Sequence, residues 1–292
     1  MSLRILVTGA RGFVGASIAH EASALGHVVA RLDADIRNRS DVEREVAARD
    51  FDTVIHAAAV TQGSEEEIEH VNVNGTANLL AAACGPHLER FVFVSSSAVY
   101  GAPADSAPIR ETHPLRGRGP YAISKGVGES LCRETAALTG TSLAICRLGA
   151  VYGPMEKPSP HRTRLSLPTR LARRADDPKP FDVHGLEHRR AFLHVDDAAG
   201  ALLRLALSDG LSEDTFNLDG PAEISLAELL ALVGRTHPSF RYRAVGHAKD
   251  AELALTSADA RPRLDCSRLE AAIGKLERRS IARGLAEGGS ER

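Results

Sequence analysis

The sequence lacks the features of a disulfide scaffold, a membrane protein or a nucleic-acid-binding protein. Its four cysteines are scattered without a Cys-x-x-Cys pair, so we expect reduced thiols in a cytosolic enzyme. No run of about 18 apolar residues is present, and strand-like sequence follows Met1 too closely for a signal peptide. The formal net charge of -2 gives no general attraction to nucleic acid or to an anionic membrane. We therefore expect a soluble cytoplasmic protein.

The composition is that of an ordinary globular protein, with 43% hydrophobic and 25% charged residues. A chain of 292 residues can form one large or two small domains with a substantial core. No internal repeat at a fixed period is visible. We predict no metal site, no nucleic-acid partner and no membrane partner.

Tyr121 and Lys125 form the first candidate catalytic pair. They are four residues apart in a predicted helix, so their side chains share one helix face. A nearby ammonium would lower the pKa of the tyrosine, and a serine from residues 95–97 could hold a substrate oxygen. This set fits removal of a proton from a carbinol while its hydride goes to a nicotinamide ring. Since the same spacing arises by chance on surface helices, its meaning depends on a dinucleotide site elsewhere.

A glycine-rich segment near the N-terminus predicts that dinucleotide site. It lies between an apolar run at residues 3–7, typical of a buried strand, and a helical pattern at residues 16–25. Gly9, Gly12 and Gly15 would allow a tight turn, approach to a pyrophosphate, and close packing of helix on strand. The N–H groups and dipole of the helix N-terminus would face the phosphates.

The end of the second predicted strand, residues 27–32, indicates which dinucleotide is preferred. Asp33 would accept hydrogen bonds from ribose hydroxyls and repel a 2′-phosphate, which favours NAD over NADP. Arg31 is the counter-argument, because it could bind that phosphate. Asp35 and Ile36 could line the adenine, or Asp35 could only begin a turn. NAD is therefore the prediction and NADP the alternative.

Later segments of the first half extend the predicted sheet. A strand over residues 52–59 ends in small residues that would let backbone lie close to the cofactor. The strand over residues 91–94 delivers the serines to the edge where parallel sheets bind ligands. We interpret His56 as a packed core histidine rather than an acid or base. Asn72, in a helix predicted over residues 72–84, either bonds neighbouring strands below the site or caps its helix.

Six motifs follow one another along the chain. They are Thr8-Gly-x-x-Gly-Phe-x-Gly15, His56-x-Ala-Ala59, Ser96-Ser-Ala-Val-Tyr-Gly101, Tyr121-x-x-x-Lys125, Arg147-Leu-Gly-Ala-Val-Tyr-Gly-Pro154 and Arg190-Ala-Phe-Leu-His-Val-Asp-Asp197. In this combination the chain resembles the extended short-chain dehydrogenase/reductases, the NAD-dependent epimerase/dehydratase family. The resemblance implies an α/β fold, a Rossmann-type doubly wound parallel sheet with a smaller C-terminal α/β substrate domain. It implies an NAD-binding domain at residues 1–150 plus 187–218 and a substrate-binding lobe at residues 151–186 plus 219–292.

The resemblance also assigns roles to individual residues. It implies Tyr121 as general base and acid, Lys125 as a ligand of the nicotinamide ribose, and Ser96 as the serine that polarises the substrate oxygen. The predicted substrate-binding residues are Ser97, Arg164 and Arg190, and the last matches an arginine that contacts the diphosphate in related epimerases. The predicted cofactor-binding residues are Gly9, Arg11, Gly12, Phe13, Val14, Gly15, Asp33, Asp35, Ile36, Ala57, Ala58, Ala59, Asn72, Tyr121, Lys125 and Leu148.

The segment at residues 157–174 contains six lysines or arginines and no acidic residue. Such a run is typical of a solvated surface. Because this family places the region over the active site, the run could equally form a lid that receives an anion. We therefore expect a sugar-like substrate that carries negative charge.

Three departures from the family patterns narrow the chemistry. Ser97 and Ala98 stand where sugar 4,6-dehydratases carry Asp-Glu, so elimination lacks its acid and base. Ala98 also replaces the cysteine of the GDP-fucose-synthase type. Ala150 replaces the usual asparagine for the nucleotide-sugar phosphate, and Leu165 or a near neighbour replaces a second one. The nucleotide-binding set is thus incomplete, which leaves room for a smaller sugar, a sugar acid or a phosphorylated polyol.

These observations together predict reversible hydride transfer between a sugar-like carbinol and NAD, with epimerisation of a nucleotide-activated sugar preferred. One alternative is an NAD(P)-dependent dehydrogenase or ketoreductase of a non-nucleotide sugar, a sugar acid or a phosphorylated polyol. Another, of a different class, is a non-catalytic NAD-sensing Rossmann protein. By resemblance we expect a homodimer formed through the helices predicted over residues 75–84 and 121–139.

Overall fold

The structure is a computed structural model that describes residues 2–102, 107–175, 177, 179–256, 259 and 261–289. In these ranges a π-helical segment, His70–Asn74, joins α3 to α4, and 3₁₀ turns span Ser97–Tyr100 and Ala248–Asp250. The strands are β1 (Arg4–Thr8), β2 (Val28–Arg31), β3 (Thr53–His56), β4 (Arg90–Ser96), β5 (Ser142–Leu148), β6 (Val151–Tyr152), β7 (Phe181–His184), β8 (Arg189–Ala191), β9 (Leu193–His194), β10 (Thr215–Leu218), β11 (Glu223–Ser225), β12 (Tyr242–Ala244) and β13 (Leu253–Ala254). The helices are α1 (Phe13–Ala24), α2 (Arg39–Ala47), α3 (Glu65–Glu69), α4 (Gly75–Ala83), α5 (Pro120–Thr139), α6 (Leu167–Arg174), α7 (Val195–Leu207), α8 (Leu226–Thr236), α9 (Ser267–Ile273) and α10 (Ile281–Gly289).

The apolar segments of the first half pair side by side in a parallel sheet. Its strand order among the described residues is β10-β5-β4-β3-β1-β2. The register places Thr8 beside His56 and Ser96 beside Leu148, so the polar strand ends meet at one edge. The direction of winding reverses at β1 and β3, which in open sheets marks the ligand-binding crevice. The predicted Rossmann-type sheet is confirmed.

Alternate side chains of the central strands feed two separate cores, as the period of two in a strand requires. Val92 and Val94 of β4 join one face, which α1, α7 and α9 cover. Phe91 and Phe93 join the other face, which α2, α4 and α5 cover. Both faces are covered, and the central strands are therefore nearly continuous in apolar residues. No helix among the described residues has both the length and the apolar character to cross a bilayer.

A third core lies outside the six-stranded sheet. It gathers apolar side chains of α6, α8, β7 and β13, with Leu171 and Leu229 fully buried at its centre. The strands β12, β7 and β13 form a small parallel sheet beside these helices. This packing supports the predicted division into two lobes, whose boundaries we retain as a proposal.

One predicted helix begins earlier than its sequence pattern indicated. The helix expected from residue 72 starts at Glu65, after Ser64, whose side chain accepts a hydrogen bond from the N–H of Glu67. The acidic first turn hides this start, because it carries no apolar periodicity. By contrast, the start of α8 carries a clear sequence signal, since Ser225 and Glu228 form a capping box there.

Candidate active site

The glycine loop between β1 and α1 has the close contacts that require glycine. Gly9 has φ of 67°, and a Cβ there would lie 2.6 Å from the backbone nitrogen of Ala58. A Cβ on Gly15 would collide with the carbonyl of Gly9. Gly12 is the N-cap of α1 and no side chain among the described residues caps that helix. The first N–H groups of α1 therefore remain available for an anion such as a pyrophosphate.

This loop opens into a cavity of about 1090 Å³ that extends to Ser96, Tyr121 and Lys125. We call it the cofactor cavity. Of the predicted cofactor-binding residues, only Asp33 and Asn72 are absent from its described lining. The residues that do line it are Gly9, Arg11, Gly12, Phe13, Val14, Gly15, Asp35, Ile36, Ala57, Ala58, Ala59, Tyr121, Lys125 and Leu148.

Asp33 and Asn72 do not line this cavity in the described structure, but each forms hydrogen bonds to a residue that does. The carboxylate of Asp33 accepts a hydrogen bond of 2.6 Å from Arg11, which lies in the cavity wall. Asn72 is buried in the π-helical segment, where its side chain bonds both the N–H and the carbonyl of Val60 at 2.8 and 2.9 Å. It also donates to Ser124 of α5. Asn72 therefore holds the loop after β3 against α5, and its described hydrogen bonds reach neither a strand nor the start of its own helix.

His56 is the core histidine that the sequence predicts. It is fully buried, and its ring nitrogens bond Thr8 at 2.6 Å and Thr76 at 2.9 Å. Burial, together with the charge of Lys125, lowers the pKa of His56 to about 3. The imidazole stays neutral and ties β3 to β1 and α4.

The three serines that follow one another at the end of β4 have different surroundings. Ser95 is buried and donates a hydrogen bond of 2.6 Å to Glu129 of α5. Ser96 lines the cofactor cavity and accepts from the N–H of Ala98 at 3.2 Å. Ser97 lies further along the 3₁₀ turn, outside the cofactor cavity. Of these serines, Ser96 is the one beside Tyr121, and a hydrogen bond between their hydroxyls acts to lower the pKa of the tyrosine.

The expected lowering of the Tyr121 pKa by Lys125 is wrong for this structure. Burial raises the pKa of Tyr121, against the opposing effects of the Ser96 hydrogen bond and the charge of Arg162. The ammonium of Lys125 instead donates a hydrogen bond of 2.8 Å to the carbonyl of Val94. Burial lowers the pKa of Lys125 itself to about 8. Burial of the phenol, which helix spacing does not predict, is the physical reason.

A buried ion pair fixes α5 to the sheet. Arg147 of β5 donates to both carboxylate oxygens of Glu129, at 2.8 and 2.6 Å, and both side chains are almost fully buried. Arg147 also donates to the hydroxyl of Tyr100, which in turn donates to Asn217. This network places the helix that carries Tyr121 and Lys125 at a fixed position over β4 and β5.

Both predicted substrate cations, Arg164 and Arg190, line the cofactor cavity, together with Arg170 and Arg261. The Nε of Arg190 is buried without a hydrogen-bond partner in the described part of the chain. Burial and the charges of Arg261 and Arg164 lower the pKa of Arg190. Burial and Arg164 likewise lower the pKa of Arg170. Like charges held together in a cavity favour a bound anion, which would relieve their repulsion.

A segment of the basic run crosses the cofactor cavity to reach the NAD-binding side. We call residues 157–166 the strap. Its backbone accepts a hydrogen bond from Thr61 and donates two, of 3.1 and 3.0 Å, to the side-chain oxygen of Gln62. Arg162 of the strap lies 5.3 Å from the ring centroid of Phe13 and pairs with buried Glu156. The strap therefore connects the substrate side of the molecule with the loop after β3.

A second cavity of about 1030 Å³ meets the cofactor cavity at Ser96 and Tyr121. We call it the outer cavity. Ser97, the remaining predicted substrate residue, lies in its wall. Arg116 and Arg118 also line it and are not among the residues that the motifs predicted. Their one signal in the sequence is that they flank Gly117 directly before the catalytic helix.

The sequence model of the NAD dependent epimerase/dehydratase family matches residues 5–219, most of the chain. The protein belongs to the NAD-dependent epimerase/dehydratase family. It is thus an NAD-dependent enzyme, as the motifs predicted. The GDP-6-deoxy-D-mannose reductase of Pseudomonas aeruginosa is 31% identical to it, over 80% of each chain. The dTDP-glucose 4,6-dehydratase of Streptomyces niveus is 28% identical, over 98% of this chain and 91% of its own.

Solved structures of family members share the fold. The UDP-glucose 4-epimerase of Thermotoga maritima, determined with UDP-glucose, superposes with a TM-score of 0.83 at 20% identity and covers 99% of both chains. RMD from Pseudomonas aeruginosa, determined with NADPH, gives a TM-score of 0.81 at 25% identity over the full length of both. The family and its fold are therefore established for this chain.

Proposed function

We propose that this enzyme epimerises a nucleotide-activated sugar by reversible oxidation of one of its carbinols. One observation carries the proposal: Ser96, Tyr121 and Lys125 line the same cavity as the glycine loop. A hydroxyl group of a sugar placed at Ser96 and Tyr121 would thus lie in the cavity that receives the dinucleotide.

The residues of the cofactor cavity fit NAD. The bare backbone of Gly9 and Gly15 leaves no space for side chains, and the N-terminus of α1 offers free N–H groups to the pyrophosphate. Asp35 and Ile36 would lie by the adenosine, and Lys125 by the nicotinamide ribose. Bound NAD would supply the acceptor, and later the donor, of hydride.

Proton transfer is the task of Tyr121. Its hydroxyl would take the proton of the substrate carbinol as the carbonyl forms, and would return it on reduction. Ser96 already accepts a hydrogen bond from Ala98, so its own O–H can donate to the substrate oxygen. Without substrate, this O–H bonds Tyr121 instead; once it has turned to the substrate oxygen, the charge of Arg162 remains to stabilise the phenolate against the burial that raises the pKa of Tyr121.

Two features support an epimerase that acts on a nucleotide sugar. The strap over the cofactor cavity would slow exchange of the dinucleotide, as expected where NAD is regenerated in every cycle. The arginines around Arg190 supply the positive charge that a diphosphate would need. Among the similar structures, the Thermotoga maritima enzyme was determined with such a ligand, UDP-glucose.

A reductase is the second candidate, favoured by two of the similar proteins. The relative with 31% identity is named as a GDP-6-deoxy-D-mannose reductase, and RMD was determined with NADPH. In that case the product would leave and the cofactor would exchange. Ala150 and Leu165, in place of the expected asparagines, extend this candidate to a sugar without a nucleotide. The cofactor would then be NAD or NADP.

Tyr121→Phe tests the catalytic proposal. Loss of the phenolic hydroxyl should reduce turnover by about 10²- to 10⁴-fold while NAD affinity stays unchanged. Turnover is measured as epimer formation from UDP-glucose and UDP-glucuronate, and as NADH formation for the reductase. Tyr242→Phe, at an exposed tyrosine outside both cavities, is the matched control. Activity that survives Tyr121→Phe would contradict the mechanism and favour a different or non-catalytic role.

The nucleotide carried by the freshly purified protein distinguishes the two candidates. Mass spectrometry after denaturation identifies it. Retained NAD supports the epimerase, whereas an empty protein that binds NADH weakly supports the dehydrogenase or reductase. Retained NADP would contradict the predicted preference for NAD.

A further inference from the structure

The charged residues in the described lining of the outer cavity are all arginines. They are Arg116, Arg118, Arg190 and Arg261, and no acidic side chain accompanies them. Arg190 and Arg261 also border the cofactor cavity, whereas Arg116 and Arg118 belong to the outer cavity alone. The outer cavity therefore has its own pair of cations, on the side of Ser96 and Tyr121 that faces away from the glycine loop.

Arg116 and Arg118 are available to a ligand. Within the part of the chain that the structure describes, neither makes an ion pair or a side-chain hydrogen bond, and both are exposed. Arg110 on the same connecting segment differs, because it lies 3.3 Å from the carboxylate of Asp265. Two neighbouring guanidinium groups without a carboxylate repel each other, and a bound anion would remove that repulsion.

The backbone that carries these arginines is held firmly. The N–H of Gly117 donates a hydrogen bond of 2.8 Å to the carbonyl of Val99 in the 3₁₀ turn. A Cβ on Gly101, whose φ is 73°, would lie 2.6 Å from the carbonyl of Arg116. The segment therefore packs directly against the turn that follows Ser96, and its position is fixed relative to the reacting centre.

The N-terminus of α5 adds to the positive potential in the outer cavity. Gly119 and Pro120, which begin this 20-residue helix, line the cavity beside Arg118, and no described side chain caps the helix. The positive end of the helix dipole thus points to the same space as the two guanidinium groups. A neutral sugar would leave all of this charge uncompensated.

We infer that the substrate carries an anionic group, a carboxylate or a phosphate, on the part of the sugar remote from the dinucleotide, and that Arg116 and Arg118 bind it. The inference rests on the proposed function, because it takes Ser96 and Tyr121 as the reacting centre. This anion is separate from any diphosphate held by Arg164, Arg170 and Arg190 in the cofactor cavity. Arg116 and Arg118 would thus select a sugar acid or a sugar phosphate over the neutral sugar.

Isothermal titration calorimetry with two matched pairs of probes tests the inference. UDP-glucuronate is compared with UDP-glucose, and glucose 6-phosphate with glucose. The titrations use the Tyr121→Phe protein with saturating NAD, so that turnover does not change the ligand. The same titrations are repeated with the Tyr121→Phe protein that also carries both Arg116→Ala and Arg118→Ala. The matched control is the Tyr121→Phe protein that also carries Arg110→Ala.

At least one anionic probe should bind about tenfold more tightly than its neutral partner, as expected for hydrogen bonds to charged groups. The double arginine variant should lose that preference and keep its affinity for NAD and for the neutral probe, whereas Arg110→Ala should keep the preference. The UDP-sugar pair tests whether the site binds a carboxylate, and the glucose pair tests whether it binds a phosphate. Equal affinities within both pairs, or a preference that survives the double variant, would overturn the inference.

The test separates this inference from the proposed function. An arginine-dependent preference without any turnover by the wild-type protein would retain the anion site and reject the redox proposal. Turnover that depends on Tyr121, combined with no preference for an anionic probe, would retain the redox proposal and reject the anion site.

Discussion

At the scale of single residues, Arg162 of the strap links the start of α1 with the catalytic Tyr121. Its guanidinium lies over the ring of Phe13 at the start of α1 and pairs with Glu156, which is fully buried. Its charge also acts to lower the pKa of Tyr121. The cation that assists the tyrosine in this structure is therefore on the strap, and Lys125 is occupied by the carbonyl of Val94.

Arg162→Met should move the ascending limb of the pH profile, in which activity rises as the tyrosine loses its proton, to higher pH. The reactive tyrosine must lose its proton, so removal of a cation that lowers its pKa shifts the activity to higher pH. The measurement is kcat/KM against pH, and at neutral pH kcat/KM should fall severalfold. Glu156→Gln is combined with Arg162→Met to avoid an unpaired buried carboxylate. Arg170→Met, in the same cavity, is the control. An unshifted limb would show that Arg162 acts only in substrate binding or in folding.

Sequence motifs correctly predicted the residues whose relative positions depend on local structure alone. The glycine loop is formed by a single turn, and Tyr121 and Lys125 lie on a single helix. The direction of the Lys125 ammonium and the desolvation of Tyr121 depend on packing against β4 and the strap. Sequence spacing carries no information about either, which is why the predicted pKa of the tyrosine was wrong.

At the scale of elements, the strap is the part that sequence patterns did not reveal. Its contacts join residues about one hundred positions apart, Gln62 with Thr163 and Arg164. No periodicity or capping signal marks such a contact. The early start of the helix at Glu65 was missed for a similar reason, because Ser64 and the acidic first turn have no apolar face. The strands β1 to β4, whose apolar runs are continuous, were found.

Gln62→Ala should loosen the strap. The change removes the oxygen that accepts from the N–H groups of Thr163 and Arg164, and each lost hydrogen bond costs about 0.5–1.5 kcal/mol. We expect NAD to dissociate roughly threefold to tenfold faster, measured by stopped-flow exchange against a fluorescent analogue. Gln62→Glu keeps the accepting oxygens and serves as the control. Dissociation at the wild-type rate in Gln62→Ala would show that the strap does not retain the cofactor.

At the scale of the whole molecule, α5 has an apolar surface on the side away from the catalytic centre. Ile123 and Val127 are 56% and 38% exposed, one helical turn apart. On its inner side the same helix buries Ser124, Lys125 and Glu129. Exposed aliphatic side chains on one face of a helix favour a protein contact. We propose that this face, together with α4, forms the interface of a homodimer.

Ile123→Glu should separate the two subunits. A charge in the middle of an apolar interface should weaken dimerisation by roughly tenfold or more. Light scattering coupled to size-exclusion chromatography measures the mass against concentration. Leu25→Glu, at an exposed leucine next to α1 on the opposite face of the sheet, is the control. A monomeric wild-type protein, or a dimer that tolerates Ile123→Glu, would contradict this interface.

The architecture as a whole could be predicted because the family motifs fix the order of strands. The two cavities could not. Arg116 and Arg118 come together with Arg190 and Arg261 only through tertiary packing, and in the sequence these pairs are more than seventy residues apart. Their number and sign, and the lack of an acidic side chain in the described lining of the outer cavity, become visible only in the folded chain.

The buried pair of Glu129 and Arg147 has a consequence for protein engineering. It anchors the catalytic helix from its middle, independently of the segment before the helix that carries Arg116 and Arg118. Directed evolution can therefore vary the exposed side chains at positions 116 and 118 with little risk to the scaffold, provided that Gly117, which packs against the 3₁₀ turn, is kept. Substrate selectivity can thus change at these two positions while Ser96, Tyr121 and Lys125 stay aligned.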